Sequence, residues 1–518
     1  MPRTASAIYS IVIRAAAVVV VAGLLFFLAV KAVAPTGSLS VTTDLVRPSP
    51  FISEPKPSER LAAAAADDSG RTLAPLVDSP LYLDLTPPSA FDAVTMTVRF
   101  TNRNGALVEL GALASSIDEQ FDPRPAAAPL LDSLDWTRVS SGDLTLLERD
   151  RRFASVDEFF RQPPDPKQVA VYRARFDVPF SLPGYRPAGQ PREIDVSLRG
   201  RHRLLTYVQG EPLNFTFYLQ DMNRQAGADP VIVSVYRLGA AEPIARTILE
   251  DDGDTADDQH SSKLRAAAIS VTDPPDGVYQ IELTADDDVF VRRIVTGQSK
   301  VVFQDRVYLG DQVGYSDDLR PVTVFTGGQE LQARTPHLES VQTLRVAGRP
   351  LEISEPQTKY VRRLPAGAGL TPVVSTRHDV LLETDGLFAF ASGDYFDPLP
   401  LTVSWYTTAA DLKALGVGYI LTTYEPPEND GGLDQASATF DAAKLARTED
   451  GAYRFAILAP GISEEPRDLR LASVTFTLDR EPLSWRNALS RLVRLFTPPA
   501  AGEPLVLPNG ASYEESPP

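Results

Sequence analysis

Residues 93–100 read AVTMTVRF, with Val94, Met96, Val98 and Phe100 alternating against Thr95, Thr97 and Arg99. A period of two puts the four apolar side chains on one face of an extended strand and the polar ones on the other, the pattern of a half-buried sheet. Working outward, LNFTFYLQ (213–220), VIVSVYRL (231–238), VYQIELTA (278–285) and VTFTLDR (474–480) repeat the alternation, each bounded by turn residues. Many short strands without intervening helical periods predict antiparallel sandwiches. The 44 prolines among 518 residues stand well above the usual share of about 5% and argue against long helices. A chain of 518 residues also exceeds what one core holds, about 250–300, so three or four domains are expected.

Two short helices have start signals: Ser155 with Glu158 ahead of Phe159, and Thr408 with Asp411 ahead of Leu412, the second closed by Gly416. Composition breaks place a Pro/Ala/Ser-rich linker at 35–79 and sandwiches at 80–200, 201–302, 303–403 and 404–483, the last carrying the short helix. The stretch LYLDLTPPSAFDAVTMTVRFTNRNGALVELGALAS (81–115) resembles concanavalin or laminin-G-like jelly rolls. An Asp-Gly followed by an aromatic two residues after the glycine recurs in DGVYQIEL (276–283), DGLFAFAS (385–392) and DGAYRFAI (450–457). Such a turn, which needs a positive φ, and the strand it feeds resemble the late strands of immunoglobulin-like and fibronectin-like bacterial modules. As a whole the chain is similar to bacterial membrane-anchored proteins built from several β-sandwiches.

The compartment is read from MPRTASAIYSIVIRAAAVVVVAGLLFFLAVKAVAPTG (1–37). Sixteen uncharged residues separate Arg14 from Lys31, and 7–34 as a helix, with both charges reaching the headgroups, suffices to cross about 30 Å of hydrocarbon. Residues 1–34 are therefore expected to be a transmembrane signal anchor in the lipid bilayer. A cut near Ala32-Val33-Ala34 is the alternative, made less suitable by Pro35. Arg3 and Arg14 precede the span, so its N-terminus is expected in the cytoplasm and the bulk of the chain outside. No cysteine is present, which removes disulfides, thiolate metal sites and cysteine nucleophiles, and for an exported chain points to a bacterial envelope. A net charge of −18 disfavours nucleic acid as a partner.

Chemistry is sparse. REIDVSLRG (192–200) resembles the active strand of jelly-roll glucanases, with Glu193, Asp195 and Ser197 expected on one strand face. Where that resemblance needs a final acid stands Ser197, so the two-carboxylate requirement of retaining hydrolysis is unmet. Glu250-Asp-Asp-Gly-Asp-Thr-Ala-Asp-Asp258 holds six acids in nine residues but lacks the ligand spacing of a calcium loop, so it reads as a solvated hairpin; PENDGGLD (427–434) is a turn. His202, His260, His337 and His378 stand apart, and Trp136, Trp405 and Trp485 read as core residues before sugar platforms. Trp485, Leu489, Leu492 and Phe496, with Arg486, Arg491 and Arg494 on other faces and Pro498 as the stop, predict an amphipathic helix over 484–497 and a disordered tail at 498–518. No catalytic, cofactor-binding or metal residue is assigned, and no cofactor is expected. The expected function is a non-catalytic, membrane-anchored extracytoplasmic protein with a binding, adhesive or structural role, its partner a cell-surface glycan or an envelope protein. The alternative is a lectin-like protein or degenerate glycoside hydrolase using 80–200.

Overall fold

The computed structural model of the protein describes residues 37–480 except 48, 68, 89, 117–119, 177–179, 256–259, 311–320, 368, 449 and 465–466, together with 19, 20 and 23. The stretch 93–100 lies in strand Ala93–Asn102, with Val94, Met96, Val98 and Phe100 buried and the intervening residues turned to the other face. Its neighbours come from the far end of the chain. Leu469–Arg480 pairs on one side, Thr97 opposite Thr475, and Leu433–Asp441 on the other, Thr97 opposite Ser437. Gly37–Thr43 extends the sheet by pairing with Leu469–Arg480. On the outer face the hydroxyls of Ser40 and Thr477 (3.0 Å), Thr42 and Thr475 (2.9 Å), Thr95 and Thr439 (2.9 Å), and Thr97 and Ser437 (2.8 Å) bridge neighbouring strands. Such cross-strand pairs each stabilise a sheet by roughly 0.2–1 kcal/mol.

A second sheet, in the order Leu81–Leu85, Tyr453–Leu458, Val108–Ser115, Gln120–Ala127, covers the apolar face. The two inner faces meet in one core, where Phe455 packs against Phe476 with ring centroids 4.8 Å apart. The expected separation of 80–200 from 404–483 is thus corrected, since both segments build this one sandwich. Alternation along a strand reveals which face is buried but not how far away in sequence the pairing strand lies.

Register also orients the sandwich. Gly37 pairs with Arg480 and Ala93 with Asp479 and Asp441, so these residues share one end. Asn102 pairs with Leu469 and Phe100 with Asp434, while Ala127 pairs with Val108 just after the turn that follows Asn102. The chain therefore leaves this sandwich after Ala127 and re-enters it before Leu433 at the end opposite Gly37 and Arg480.

What is inserted there is itself nested. Strands Thr137–Ser141, Leu144–Glu148, Val169–Tyr172, Leu401–Thr402 and Tyr419–Thr422 form a mixed sheet in which Val169–Tyr172 runs parallel to both Tyr419–Thr422 and Leu401–Thr402. Leu147, Ala170 and Ile420 face Leu131 and Leu412 on one side; Leu146, Val171 and Leu421 face Val156 and Phe159 on the other. Helices Pro129–Ser133 and Ala409–Ala414 supply the first cover and Val156–Arg161 the second. This layered mixed sheet corrects the expectation of antiparallel sandwiches throughout: strands buried on both faces read as plain apolar runs such as VAVY (169–172), without alternation. Both capping signals work as expected, Ser155 accepting from the Glu158 N–H at 3.2 Å and Thr408 forming a reciprocal box with Asp411.

Inside that insertion lie two further packed units. In the first, His202–Val208 pairs with Gly277–Thr284 and Val301–Leu309, and Val231–Arg237 pairs with Gly277–Thr284 and Ala245–Leu249. The opposing layer is Arg265–Val271, Leu213–Asp221 and Val289–Thr296, with Arg192–Ile194 at its edge. The second unit, 322–389, is joined to the first through Val301–Leu309, which pairs with Val380–Ala389. The expected edge near 302 falls within that shared strand, and the edge at 200/201 cuts Arg192–Ile194 from the unit to which it belongs.

Two of the three Asp-Gly motifs behave as expected: Gly277 and Gly451 have φ of +148° and +80° and open strands Gly277–Thr284 and Tyr453–Leu458. Asp385-Gly386 instead lies within Val380–Ala389. There Asp385 Oδ1 accepts the N–H groups of Gln329 and Glu330 at 2.8 and 2.9 Å, and a Cβ on Gly386 would meet the Gly328 backbone at 2.6 Å.

The anchor expected at 1–34, the helix at 484–497, Trp485 and the tail 498–518 lie outside the described residues apart from 19, 20 and 23. Among the described residues no helix is long and apolar enough to cross a membrane.

Candidate metal centre

The sequence candidates separate in space. Glu193 and Asp195 are exposed while Ser197 is buried, so the expected common face does not form. The strand ends at Ile194, and Ser197 Oγ accepts from Arg292 Nη1 at 2.9 Å. Glu193 forms a surface ion pair with Arg293 at 3.5 Å. Trp405 and Tyr406 stack with the Arg363 guanidinium, at 4.4 and 3.6 Å from its carbon to the ring centroids, and a Cβ on Gly461 would clash with the Trp405 ring. Trp136 is half-buried beneath Arg149 at 5.2 Å.

Of the histidines, His202 is buried, with Nδ1 bonded to the Gly200 carbonyl at 3.1 Å and Nε2 accepting the Tyr308 N–H at 3.1 Å. Those two bonds require the neutral ring with its proton on Nδ1. Burial first, then the Arg306 charge, lowers its pKa to about 3.

Among the described residues, three potential metal ligands come together at one place: Asp221, Asp229 and Asp251, each offering a carboxylate oxygen within 4.8 Å of the others. They converge because two turns meet at one end of the 192–309 unit. Asp221 closes strand Leu213–Asp221, Asp229 precedes Val231–Arg237, and Asp251 follows Ala245–Leu249. A third turn, between Gly277–Thr284 and Val289–Thr296, brings Asp286 and Asp288.

Backbone amides hold the carboxylates in place. Asp221 Oδ1 accepts the N–H of Asn223, whose φ of +46° tightens that turn, at 2.8 Å. Asp251 accepts the N–H of Asp229 at 3.1 Å and of Gly253 at 2.8 Å. Asp288, fully buried, accepts those of Arg224 and Gln225 through Oδ2 at 3.0 and 2.9 Å. Asp229 is 7% exposed and its Oδ2 is buried without a hydrogen-bond partner; Asp288 Oδ1 is likewise unpartnered.

The electrostatics follow. Burial first, then Asp286 and the charges of Asp288 and Asp221, push the Asp229 carboxyl up to about 7. Burial raises Asp221 as well, against the opposing Asn223 N–H, with Asp288 adding to it. Asp251 is held below the usual range by the Asp229 N–H and then the Gly253 N–H. Within the described residues no Lys or Arg forms an ion pair with Asp221, Asp229, Asp251 or Asp288. An oxygen-only, strongly negative nest of this kind suits a hard divalent cation.

Of these residues only Asp251 belongs to the acidic run 250–258; Asp221, Asp229 and Asp288 each look like an ordinary turn aspartate in sequence. A usable signal would have been an Asp at the boundary of several successive strands, in DMN (221–223), ADP (228–230), DDG (251–253) and ADDD (285–288).

No family model matches the chain, and no curated protein matches it in sequence. Among solved structures it is similar to dimeric latent PorU from Porphyromonas gingivalis, at 10% identity over 59% of this chain and 34% of that one, with a TM-score of 0.16. The chain thus spans about a third of the length of that protein. It is also similar to a structure from Sulfolobus turreted icosahedral virus (7% identity, 65% and 90% covered, TM-score 0.17) and to a VP2 protein of infectious bursal disease virus (9% identity, 89% and 85% covered, TM-score 0.15).

Proposed function

We propose that the chain is a non-catalytic, membrane-anchored protein whose β-rich body stands on the extracytoplasmic side of a bacterial envelope and binds or bridges a surface partner, a glycan or another envelope protein. The observation that carries this reading is the pairing of Gly37 with Arg480. The apolar segment before Gly37 and the basic amphipathic segment after Arg480 connect to neighbouring positions at one end of the outer sandwich. Both can then address the same bilayer, the first as a span and the second lying at its interface. The inserted units emerge from the opposite end of that sandwich, so they point away from the membrane, where a partner would be met.

Fractionation tests the reading. Full-length protein should stay with membranes through an alkaline carbonate wash, and protease added to spheroplasts should digest the 37–480 body. Recovery in the soluble fraction, or a body protected until the cells are lysed, would contradict it.

A further inference from the structure

We propose that Asp221, Asp229 and Asp251 form a Ca2+ site at one end of the 192–309 unit. Three carboxylate oxygens within 4.8 Å of one another fit around one ion, because Ca2+–oxygen distances of about 2.3–2.6 Å span about 4.6–5.2 Å across the shell. Mg2+, at about 2.0–2.1 Å, demands a tighter and nearly octahedral set. The second, independent sign is Asp229 itself. It is more than nine-tenths buried, its Oδ2 lacks any partner, and its carboxylate belongs to the converging group. A buried carboxylate oxygen with neither donor nor counter-charge is costly, and a cation removes that cost at once.

The surrounding geometry serves the same end. Asp251 receives the Asp229 N–H, so the two ligands are tied to each other before any ion arrives. Asn223 reaches across to the His260 carbonyl at 2.7 Å, and Ser262 binds back to Asp221 through both its N–H and its Oγ, at 2.7 and 2.9 Å. Turn 221–230 is thereby joined to residues 260 and 262 around the ligands, and Asp288 anchors that turn from behind by holding the N–H groups of Arg224 and Gln225. The ion would lock turns that separate strands of both layers, so its effect is to stiffen this end of the unit. The site is a property of the unit and stands whether or not the chain is membrane-anchored.

The test is calorimetric titration of CaCl2 into the full-length protein in detergent after EDTA treatment, with thermal unfolding in parallel. Expected are saturable uptake of one Ca2+ with Kd no weaker than the about 1 mM of extracellular modules, weaker uptake of Mg2+, and a melting temperature that rises with Ca2+. Asp229→Asn should weaken binding by at least about tenfold and abolish the rise, while keeping wild-type circular dichroism in EDTA. Asp251→Asn, at a partly exposed position, carries the same expectation should the first variant not fold. Asp434→Asn, in the other acidic turn, should bind as wild type does. No saturable uptake up to about 10 mM, uptake unchanged in both site variants, equal loss in Asp434→Asn, or Mg2+ bound as tightly as Ca2+ would each overturn the proposal.

Discussion

Two of the places that bury aspartate or glutamate among the described residues do it in opposite ways. At the junction of the outer sandwich and the mixed sheet, Glu109 is 1% exposed and bound by Arg173 through Nε and Nη2 at 2.7 and 2.6 Å, with the Tyr172 hydroxyl donating at 2.9 Å. At the end of the 192–309 unit, Asp288 is fully buried and Asp221 and Asp229 nearly so, but they have only backbone N–H donors and one another. The first site is complete in the chain's own residues. The second holds excess negative charge, so its stability depends on something from solution, and the two sites should respond differently to the same perturbations.

The largest effect is expected at the complete site. Arg173→Ala leaves Glu109 buried and uncompensated, which should cost about 3–5 kcal/mol in urea unfolding, equally in EDTA and in Ca2+. Tolerance of that change, or dependence on Ca2+, would break the contrast.

Next comes His202, a buried ionisable group that meets its needs by staying neutral. Its folded pKa, about 3, lies below the unfolded value near 6.5. Below pH 6.5 the unfolded chain takes up a proton that the folded one refuses, so stability falls as pH drops from 6.5 toward 3. Between pH 7 and pH 5 wild type should lose about 2 kcal/mol more than His202→Gln, at about 1.4 kcal/mol per pH unit. Parallel pH profiles for the two proteins would contradict the neutral assignment.

A smaller and opposite response belongs to Asp229. Its folded pKa is raised to about 7 from an ordinary 3.8, so its contribution, full below 3.8, is lost as pH rises from there through 7, and the ionised form strains the apo site. In EDTA at pH 8, Asp229→Asn should melt a few degrees above wild type, and the gain should shrink as pH falls below 7 and vanish only below about pH 4. Smallest of all is Glu193→Ala, which removes one exposed ion pair with Arg293 and should shift stability by no more than about 0.5 kcal/mol.

The strands were legible because alternation is local. Val94, Met96, Val98 and Phe100 are buried as their spacing requires, and so are Phe215, Phe217 and Leu219. The capping residues Ser155 and Thr408 were legible for the same reason. What could not be read was partnership. Thr97 and Ser437 touch across 340 residues of sequence, and nothing in AVTMTVRF distinguishes a nearby partner from one at the other end of the chain. The short doubly covered strands 169–172 and 419–422 lack alternation altogether. The site was half legible for the same reason: the run at 250–258 advertises its charge, but Asp221 and Asp229 become ligand candidates only after the sheets bring their turns together.

The central claim is that segments near the two ends of 37–480 close one sandwich around everything between them. Because the chain has no cysteine of its own, the double variant Thr97→Cys/Ser437→Cys tests it directly. The two residues stand directly opposite each other on neighbouring antiparallel strands, where Cα atoms lie about 4.5–5.5 Å apart, inside the range of about 4.4–6.8 Å that a disulfide spans. Mild oxidation of the folded full-length protein should link the two within one chain and shift its mobility on a non-reducing gel. A protein that stays reduced, or that links only between chains, would contradict the nested fold.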